Sequence, residues 1–128
     1  MSVKYYSMLS ASDREKVYGF YLRNSNKEMT DKELVYFNDN NGNVEGKASL
    51  ILCEAGYKNV GYIVETMVDN QVDNKMAVLT DMLKSIRILA ADKGLNRLLL
   101  GTGSDSVKAL MEHLGYKMIY RGDRKSVV

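Results

Sequence analysis

The sequence of 128 residues contains one cysteine, one histidine and no proline, and each scarcity excludes a class of protein or a kind of turn. Cys53 has no second cysteine with which to form an intramolecular disulfide, and one cysteine with one histidine does not make the ligand set of a zinc site. A disulfide-stapled fold and a zinc finger are therefore excluded, and no metal is expected. Without proline, every turn depends on glycine, asparagine and aspartate.

Long apolar runs and clusters of one charge are also absent. No stretch approaches the roughly 18 apolar residues that indicate a membrane-spanning helix, and the first residues contain no signal-peptide apolar segment. Lysine and arginine number 18 against 16 acidic residues, which gives a net charge of +2 without a basic run. We therefore expect a soluble, cytoplasmic protein that binds neither nucleic acid nor a membrane.

Length and composition predict one domain with one core. A chain of this length buries enough surface to fold without a disulfide or a structural metal. Hydrophobic residues make up 45% and charged residues 27% of the sequence, which are ordinary globular proportions. The prediction is a single domain over residues 1–128, which is either a whole protein or one domain of a longer chain.

In the first half of the chain, periodicity and turn signals predict one helix among four strands. A strand over Val3–Leu9 precedes a helix that begins at a Ser12–Glu15 capping box. An Asn41-Gly42 pair is typical of a type I′ hairpin and joins the next two strands. The three extended runs that follow the helix are Glu33–Asn38, Lys47–Glu54 and Tyr62–Val68, and the middle run, which is apolar at most positions, is expected to be covered on both faces.

The second half changes to helical periodicity. A long helix over Asn74–Lys93, capped by Asp73 or Asn74 and ended by Gly94, has one apolar face formed by Met76, Leu79, Leu83, Ile86 and Ala90. A buried strand, a second helix and a final hairpin follow. The order β-α-β-β-β-α-β-α-β-β predicts an α+β, α/β sandwich-like fold. Its mixed sheet has one parallel pair across the long helix and helices on both faces.

Three short motifs occur in an order and spacing that resemble a known superfamily. Val44-Glu45-Gly46-Lys47-Ala48 resembles its third-strand opening, and Ala90 to Leu100 resembles the A-x-x-x-G-x-x-x-l-x-L end of its main helix and fifth strand. Leu114-Gly115-Tyr116 resembles the l-G-F that closes its fourth helix. Together with the element order, these motifs resemble the GNAT superfamily of acyl-CoA-dependent N-acetyltransferases. The resemblance covers nearly the whole chain and implies a GNAT-type sheet, with the family's second helix reduced to a turn.

The resemblance implies that acetyl-CoA, as co-substrate, lies where the fourth and fifth strands splay apart. Its pyrophosphate would then lie on the N-terminus of the long helix, where free amides and the helix dipole bind phosphate. The family's loop R/Q-x-x-G-x-G/A corresponds to Gln71-Val72-Asp73-Asn74-Lys75-Met76, with Asn74 and Met76 at the glycine positions. The implied cofactor-binding residues are Met67, Val68, Gln71, Asn74, Lys75, Met76, Ala77 and Ser104. Ser104 is also a helix N-cap by its position.

An alternative interpretation of this segment is a solvated loop that ends in an N-cap. Asp69 and Asp73 lie beside the loop and would repel phosphate unless their side chains turn away. Lys75 would offset part of that repulsion. A second strand-to-helix loop, Gly101 to Ser106, could also cradle a phosphate, but it lacks the third glycine and the full spacing of a dinucleotide-binding loop, so its residues favour a tight turn with a helix cap.

The expected reaction needs a base and an acid. An attacking amine must lose a proton, and Glu65 is the only carboxylate inside a predicted central strand that faces the cleft region. The resemblance implies that Glu65 is the general base; the alternative is a strand carboxylate paired with a neighbouring lysine or arginine. Met111 occupies the position of the family's thiolate-protonating tyrosine, and a thioether donates no proton. Tyr116 is then the candidate acid, with packing in the core as its alternative.

The expected function is therefore an N-acetyltransferase that transfers an acetyl group from acetyl-CoA to an amine acceptor, either a small molecule or a peptide. The alternative is a catalytically silent GNAT-fold domain that acts as a binding, regulatory or assembly module. The missing loop glycines and the missing tyrosine favour this alternative. Homodimer formation stays open, Cys53 is expected in the core, and His113 is expected to face solvent.

Overall fold

The computed structural model describes residues 3–24, 32–52, 59–101, 105–115, 118–121 and 124–127. A single 3₁₀ turn over Tyr6–Met8 follows the first strand. The helices and strands are, in chain order, β1 (Val3–Tyr5), α1 (Ala11–Asn24), β2 (Glu33–Phe37), β3 (Val44–Leu52), β4 (Val60–Val68), α2 (Lys75–Asp92), β5 (Arg97–Gly101), α3 (Asp105–His113), β6 (Met118–Arg121) and β7 (Arg124–Val127). This order is the predicted one.

All the described strands belong to one seven-stranded mixed sheet with the order β1-β2-β3-β4-β5-β7-β6. Neighbouring strands are antiparallel except β4 and β5, which pair in parallel and are connected through α2. The structure thus confirms the predicted α+β fold with its parallel pair across the long helix. Gly94 follows the last turn of α2 with φ +80° and ends the helix as predicted.

Two apolar clusters show that helices cover both faces of the sheet. On one face, Val17 and Phe20 of α1 pack with Val35 and Phe37 of β2. On the other face, α2 and α3 pack over the central strands around a larger cluster. The described residues of that cluster with the least exposure include Leu34, Ile63, Met82, Leu83, Ile86 and Met111. Burial on both faces is what the uninterrupted apolar runs of the central strands favour.

A β-bulge interrupts β4 at Glu65 and Thr66. Between the pairs Ser49–Val64 and Lys47–Met67, β3 has one residue and β4 has two. Glu65 has φ +53°, a left-handed conformation that a non-glycine residue rarely adopts. Side chains alternate between the two faces of a strand, and one extra residue reverses that alternation. The side chains after the bulge therefore lie on the opposite face from the one they would occupy in a regular strand.

The start of α1 and the first hairpin differ from their predictions. The helix begins at Ala11, and Ser10 Oγ accepts the Asp13 amide at 3.2 Å, so the predicted Ser12–Glu15 capping box is wrong. The cause is that the first strand stops at Tyr5, which places Ser10 and not Ser12 at the helix entrance.

The predicted two-residue Asn41-Gly42 turn is also wrong. The connection spans residues 38–43, because strand pairing stops at Phe37 and Val44 after a register shift. The Gly42 amide donates to Asn38 O at 2.7 Å, and only Gly42 has a positive φ in this connection, at +72°.

Two burial predictions need correction. Met76 is 38% exposed, because the buried stripe of α2 centres on Met82, Leu83 and Ile86 and leaves Met76 at its margin in the first turn. The end of β3 is not covered on both faces, since Ile51 and Leu52 are each 53% exposed.

Candidate functional site

The sheet opens where β4 and β5 part. Their parallel pairing runs from Val60 with Arg97 to Ile63 with Leu100. Beyond that point β4 continues to Val68 as a partner of β3 only, while β5 pairs with β7. Within the described part of the chain, residues 64–68 therefore present to the opening a strand edge that β5 does not cover. This opening is the predicted splay of the fourth and fifth strands.

Glu65 lies at the beginning of this opening. Its side chain is 55% exposed, and its Oε2 atom lies 4.0 Å from Lys47 Nζ. Glu65 lies inside the bulge with φ +53°, and from there its carboxylate reaches Lys47 on the neighbouring strand β3. The structure thus contains both the exposed carboxylate of the base hypothesis and the neighbouring lysine of its alternative.

Lys47 also forms a buried ion pair with Glu33, which the sequence analysis did not identify. The two side chains are 8% and 6% exposed, and the Lys47 ammonium donates to Glu33 Oε1. Glu33 on β2 is opposite Ser49 on β3, and Lys47 lies two residues before Ser49 on the same face. Long side chains can meet across such a diagonal. The sequence does indicate this pair indirectly: a charged residue at an inward-facing position of an apolar strand is buried, and a buried charge needs a partner of opposite charge.

The loop between β4 and α2 is tied to the last turn of α1 through Asp69. Arg23 Nη2 donates to Asp69 Oδ2 at 2.7 Å, and Asn24 Nδ2 donates to Asp69 Oδ1 at 3.3 Å. Burial by itself would raise the pKa of the Asp69 carboxyl, but hydrogen bonds from Arg23, the Gln71 amide and Asn24 outweigh it and lower that pKa below its ordinary value. The predicted repulsion between Asp69 and phosphate is therefore reduced, because the Asp69 carboxylate is paired with the Arg23 guanidinium.

The N-terminus of α2 carries free amides. Among the described residues, the main-chain N–H groups of Asp73, Asn74, Lys75 and Met76 have no hydrogen-bond acceptor. The Ala77 amide differs, since it donates to Asn74 Oδ1 at 3.1 Å, the cap that the sequence predicted. Four successive free amides at the start of a long helix fit a phosphate group.

Lys75 adds a positive charge to these amides. Its ammonium donates to Asn70 O and to Val72 O, each at 3.3 Å, and so lies over the loop. Asn74 has φ −110°, so the residue at the family's first glycine position does not need a glycine conformation here. A glycine would also leave more room for a ligand to approach the backbone. Here the side chains of Asn74 and Met76 take up that room beside the free amides.

The other predicted site residues divide into three groups. Met67 and Val68 are half-buried and pack against the clusters on opposite faces. Gln71 is exposed on the loop, and its amide donates to Asp69 Oδ1. Tyr116 and Ser104 lie outside the described residues.

Three further sequence predictions concern residues away from the opening. His113 is exposed at the end of α3, as predicted. Met111 is fully buried in the larger cluster, so the position of the family's tyrosine is occupied by core packing. Cys53 and the turn at residues 102–104 lie outside the described residues.

Two cavities flank the sheet at different ends. A groove of about 500 Å³ lies between α1, the start of β3 and the β4–α2 loop, and its lining includes Lys16, Arg23, Gln71, Val72 and Asp73. A smaller cavity of about 310 Å³ lies at the far end of α2, and none of the predicted site residues lines it. The groove is the larger of the two and the one that adjoins the loop.

Comparisons with known proteins identify the fold. No protein-family model matches the chain, and no curated protein matches its sequence. An acetyltransferase of the GNAT family from Staphylococcus aureus matches with a TM-score of 0.62 and 18% identity over 98% of this chain and 96% of that chain. The GNAT domain of S. lividans PAT matches with a TM-score of 0.68 and 11% identity over 98% and 87%.

N-acetylglutamate synthase from Neisseria gonorrhoeae, in a structure complexed with coenzyme A and N-acetyl-glutamate, matches with a TM-score of 0.60 and 14% identity over 98% of this chain and 34% of that chain. The chain therefore has the GNAT fold of acetyltransferases, and the predicted resemblance is confirmed at the level of the fold. Among the described residues, no helix combines the length and the apolar character needed to cross a membrane.

Proposed function

We propose that the protein is an N-acetyltransferase that uses acetyl-CoA and acetylates an amine carried by a small molecule or a peptide. The observation that carries this proposal is the opening between β4 and β5, which starts after Ile63 and exposes one main-chain edge of β4. A linear thioester can lie along such an edge and receive hydrogen bonds from main-chain amides. The GNAT fold of the chain supports the same interpretation.

In this proposal each part of the reaction has a group in the chain. Glu65 takes a proton from the acceptor ammonium, and the neutral amine then attacks the thioester carbon. Main-chain amides of β4 stabilise the negative charge that develops on the thioester oxygen. The C–S bond breaks, the thiolate of coenzyme A leaves, and the second proton of the amine passes to solvent or to the thiolate. A thiol with a pKa of about 8.5 leaves without a dedicated acid, although more slowly than with one.

The α2 N-terminus fits the pyrophosphate of acetyl-CoA. The free amides of residues 73–76 supply donors, and Lys75 supplies a positive charge. Binding is then expected to weaken as salt rises, because part of the attraction is electrostatic.

A second candidate function is supported by specific positions. The side chains of Asn74 and Met76 occupy space beside the amides, and Met111 fills the core where the family has a proton donor. These features favour a silent GNAT-fold domain that binds or assembles with a partner. The two functions differ in acetyl-CoA affinity and in turnover.

One titration separates them. Calorimetry with acetyl-CoA is expected to give a Kd of about 1 μM, a binding free energy near −8.2 kcal/mol, for an enzyme. Coenzyme A release would then be measured against polyamines, peptides and aminoglycosides. Binding with turnover supports the transferase, whereas no binding at millimolar acetyl-CoA eliminates it.

A matched pair of lysines on α2 serves as control. Lys75→Gln removes the charge above the loop and is expected to raise the Kd, and Lys84→Gln removes an exposed charge farther along the same helix and is expected to leave it unchanged. If the two substitutions change the Kd for acetyl-CoA equally, the pyrophosphate does not lie at the N-terminus of α2.

A further inference from the structure

The loop that leads into α2 contains no glycine, yet it has a fixed path. No glycine occurs between Gly61 and Gly94, so the main chain here is not shaped by residues that adopt positive φ freely. The path is instead determined by side chains of α1. Arg23, Asn24 and Asp69, called here the Asp69 cluster, supply most of the contacts.

The Asp69 cluster binds both the side chains and the main chain of the loop. Asn24 Oδ1 accepts the Asn70 amide at 2.8 Å, and Asn70 Nδ2 donates to Arg23 O at 3.2 Å. Asp69 accepts from Arg23, Asn24 and the Gln71 amide, and the Val72 amide donates to Asp69 O at 3.2 Å.

These contacts divide the loop amides into two sets. The amides of residues 70, 71 and 72 are bonded inside the protein, whereas those of residues 73–76 have no acceptor among the described residues. The division falls where the loop meets α2. Satisfying the first set fixes the direction of the second, because consecutive peptide planes are linked through only two soft dihedral angles per residue.

We infer that the Asp69 cluster is a positioning device that holds the amides of residues 73–76 in the arrangement that binds the pyrophosphate of acetyl-CoA. The inference rests on the proposed function and adds to it Asp69 together with two residues of α1, Arg23 and Asn24, that are far from the loop in sequence. In this chain, side-chain hydrogen bonds from α1 fix the path of a loop that contains no glycine. None of the three residues contacts the reacting atoms, so each is a positioning residue and not a catalytic one.

The test separates cofactor affinity from the rate of transfer. Arg23→Ala and Asn24→Ala each remove one side of the cluster and are expected to raise the Kd and the KM for acetyl-CoA about tenfold, a change of about 1.4 kcal/mol. The kcat at saturating acetyl-CoA is expected to stay unchanged, because the loop does not touch the amine. Arg23→Lys keeps a positive donor and is expected to restore most of the affinity.

Arg14→Ala is the matched control. Arg14 lies on the same helix and donates to Ser7 O at 3.2 Å, away from the loop. A purely structural role would lower the melting temperature and the active fraction without raising the Kd of the folded fraction. Asp69→Asn removes the charge of the third member of the cluster and keeps the size of its side chain. In a double-mutant cycle, Arg23→Ala and Asp69→Asn are expected to be less than additive in their effect on the Kd.

Two negative results have different meanings. If wild-type protein binds acetyl-CoA and the folded cluster variants bind it equally well, the positioning role is overturned while the transferase proposal stands. If wild-type protein does not bind acetyl-CoA, the proposed function and the positioning role both fail.

Discussion

The ammonium nitrogen of Lys47 lies 4.0 Å from Oε2 of Glu65, the candidate base at the opening of the sheet. The same ammonium is buried in an ion pair with Glu33. Glu65 therefore reaches a buried lysine, while its own side chain is about half exposed. Glu33 and Glu65 approach the same ammonium, Glu33 from the interior and Glu65 from the opening.

Removal of Lys47 is expected to destabilise the protein strongly. Lys47→Ala leaves the Glu33 carboxylate buried without the lysine charge, and we expect a loss of about 3–5 kcal/mol in the free energy of unfolding. Lys16→Ala, at an exposed lysine, is expected to change it by less than about 0.5 kcal/mol. Urea denaturation measures both. The double change Lys47→Met with Glu33→Leu should recover most of the loss, and a double variant as unstable as Lys47→Ala would contradict the assignment of the pair.

Glu65→Gln is expected to affect transfer more than binding. The amide keeps the shape of the carboxylate but accepts no proton at neutral pH, so kcat should fall by about a hundredfold. The acetyl-CoA Kd from calorimetry should stay within about a factor of two, since Glu65 is not part of the phosphate site. Glu15→Gln, an exposed carboxylate on α1, is the control. Unchanged turnover in Glu65→Gln would leave Glu65 as a structural partner of Lys47.

Glu65→Gly tests whether the strained backbone is kept for function. Glycine adopts a φ near +53° without steric cost, so the substitution should raise the free energy of unfolding by about 1 kcal/mol. Transfer should be lost together with the carboxylate. Thermal or urea unfolding combined with the coenzyme A release assay shows both effects. A destabilised Glu65→Gly protein would mean that the side chain contributes more to folding than the backbone strain costs.

The contribution of Asp69 to stability is expected to depend on pH. The pKa of its carboxyl in the folded protein lies below the ordinary 3.8, so the ionised form favours folding. This stabilisation is complete well above that ordinary pKa and is lost as the pH falls through the folded-state value. Asp69→Asn should therefore cost about 1–3 kcal/mol near pH 7. The difference between the two proteins in urea unfolding should shrink below about pH 4, and a constant difference would contradict the pairing with Arg23.

Restoring a glycine beside the free amides is expected to tighten cofactor binding. Met76→Gly removes a side chain from the first turn of α2, and the acetyl-CoA Kd should fall about tenfold. The helix should lose about 1 kcal/mol of stability. Lys84→Gly imposes the same cost on an exposed position of the same helix without opening the site, so its Kd should match that of the wild-type protein. Weaker binding by Met76→Gly in calorimetry would mean that the methionine contacts the ligand.

Sequence periodicity predicted most of the fold because each element carries its own pattern. The apolar spacing of α2, for example, determines which of its faces is buried, and such a pattern is local. The start of α1 was misplaced because Ser10 and Ser12 are both good caps, and only the early end of β1 selects Ser10. The type I′ turn failed for a similar reason, since the register shift before Phe37 is a property of two strands.

The candidate site was predicted only where it is local in sequence. Asn74 as N-cap and Glu65 on β4 follow from neighbouring residues. The pairing of Glu33 with Lys47, and of Arg23 with Asp69, depends on how β2, β3 and α1 are arranged in space. The bulge at Glu65 leaves no local signal either, because a bulge is defined by the partner strand.

The single extra residue in β4 also determines which helix the following loop can reach. The extra residue reverses the alternation of the side chains that follow it, so Met67 packs on the α1 face and Val68 on the opposite face. Asp69, one residue further on, is then on the α1 side, where it meets Arg23. A deletion of Thr66 would restore strict alternation and turn Asp69 toward α2, where it would be buried far from the guanidinium. Segment length, more than residue identity, is therefore under constraint between Val64 and Met67. The contact between Asp69 and Arg23 should therefore tolerate substitutions in this segment, including those at Glu65 that lower transfer, far better than a one-residue change in length.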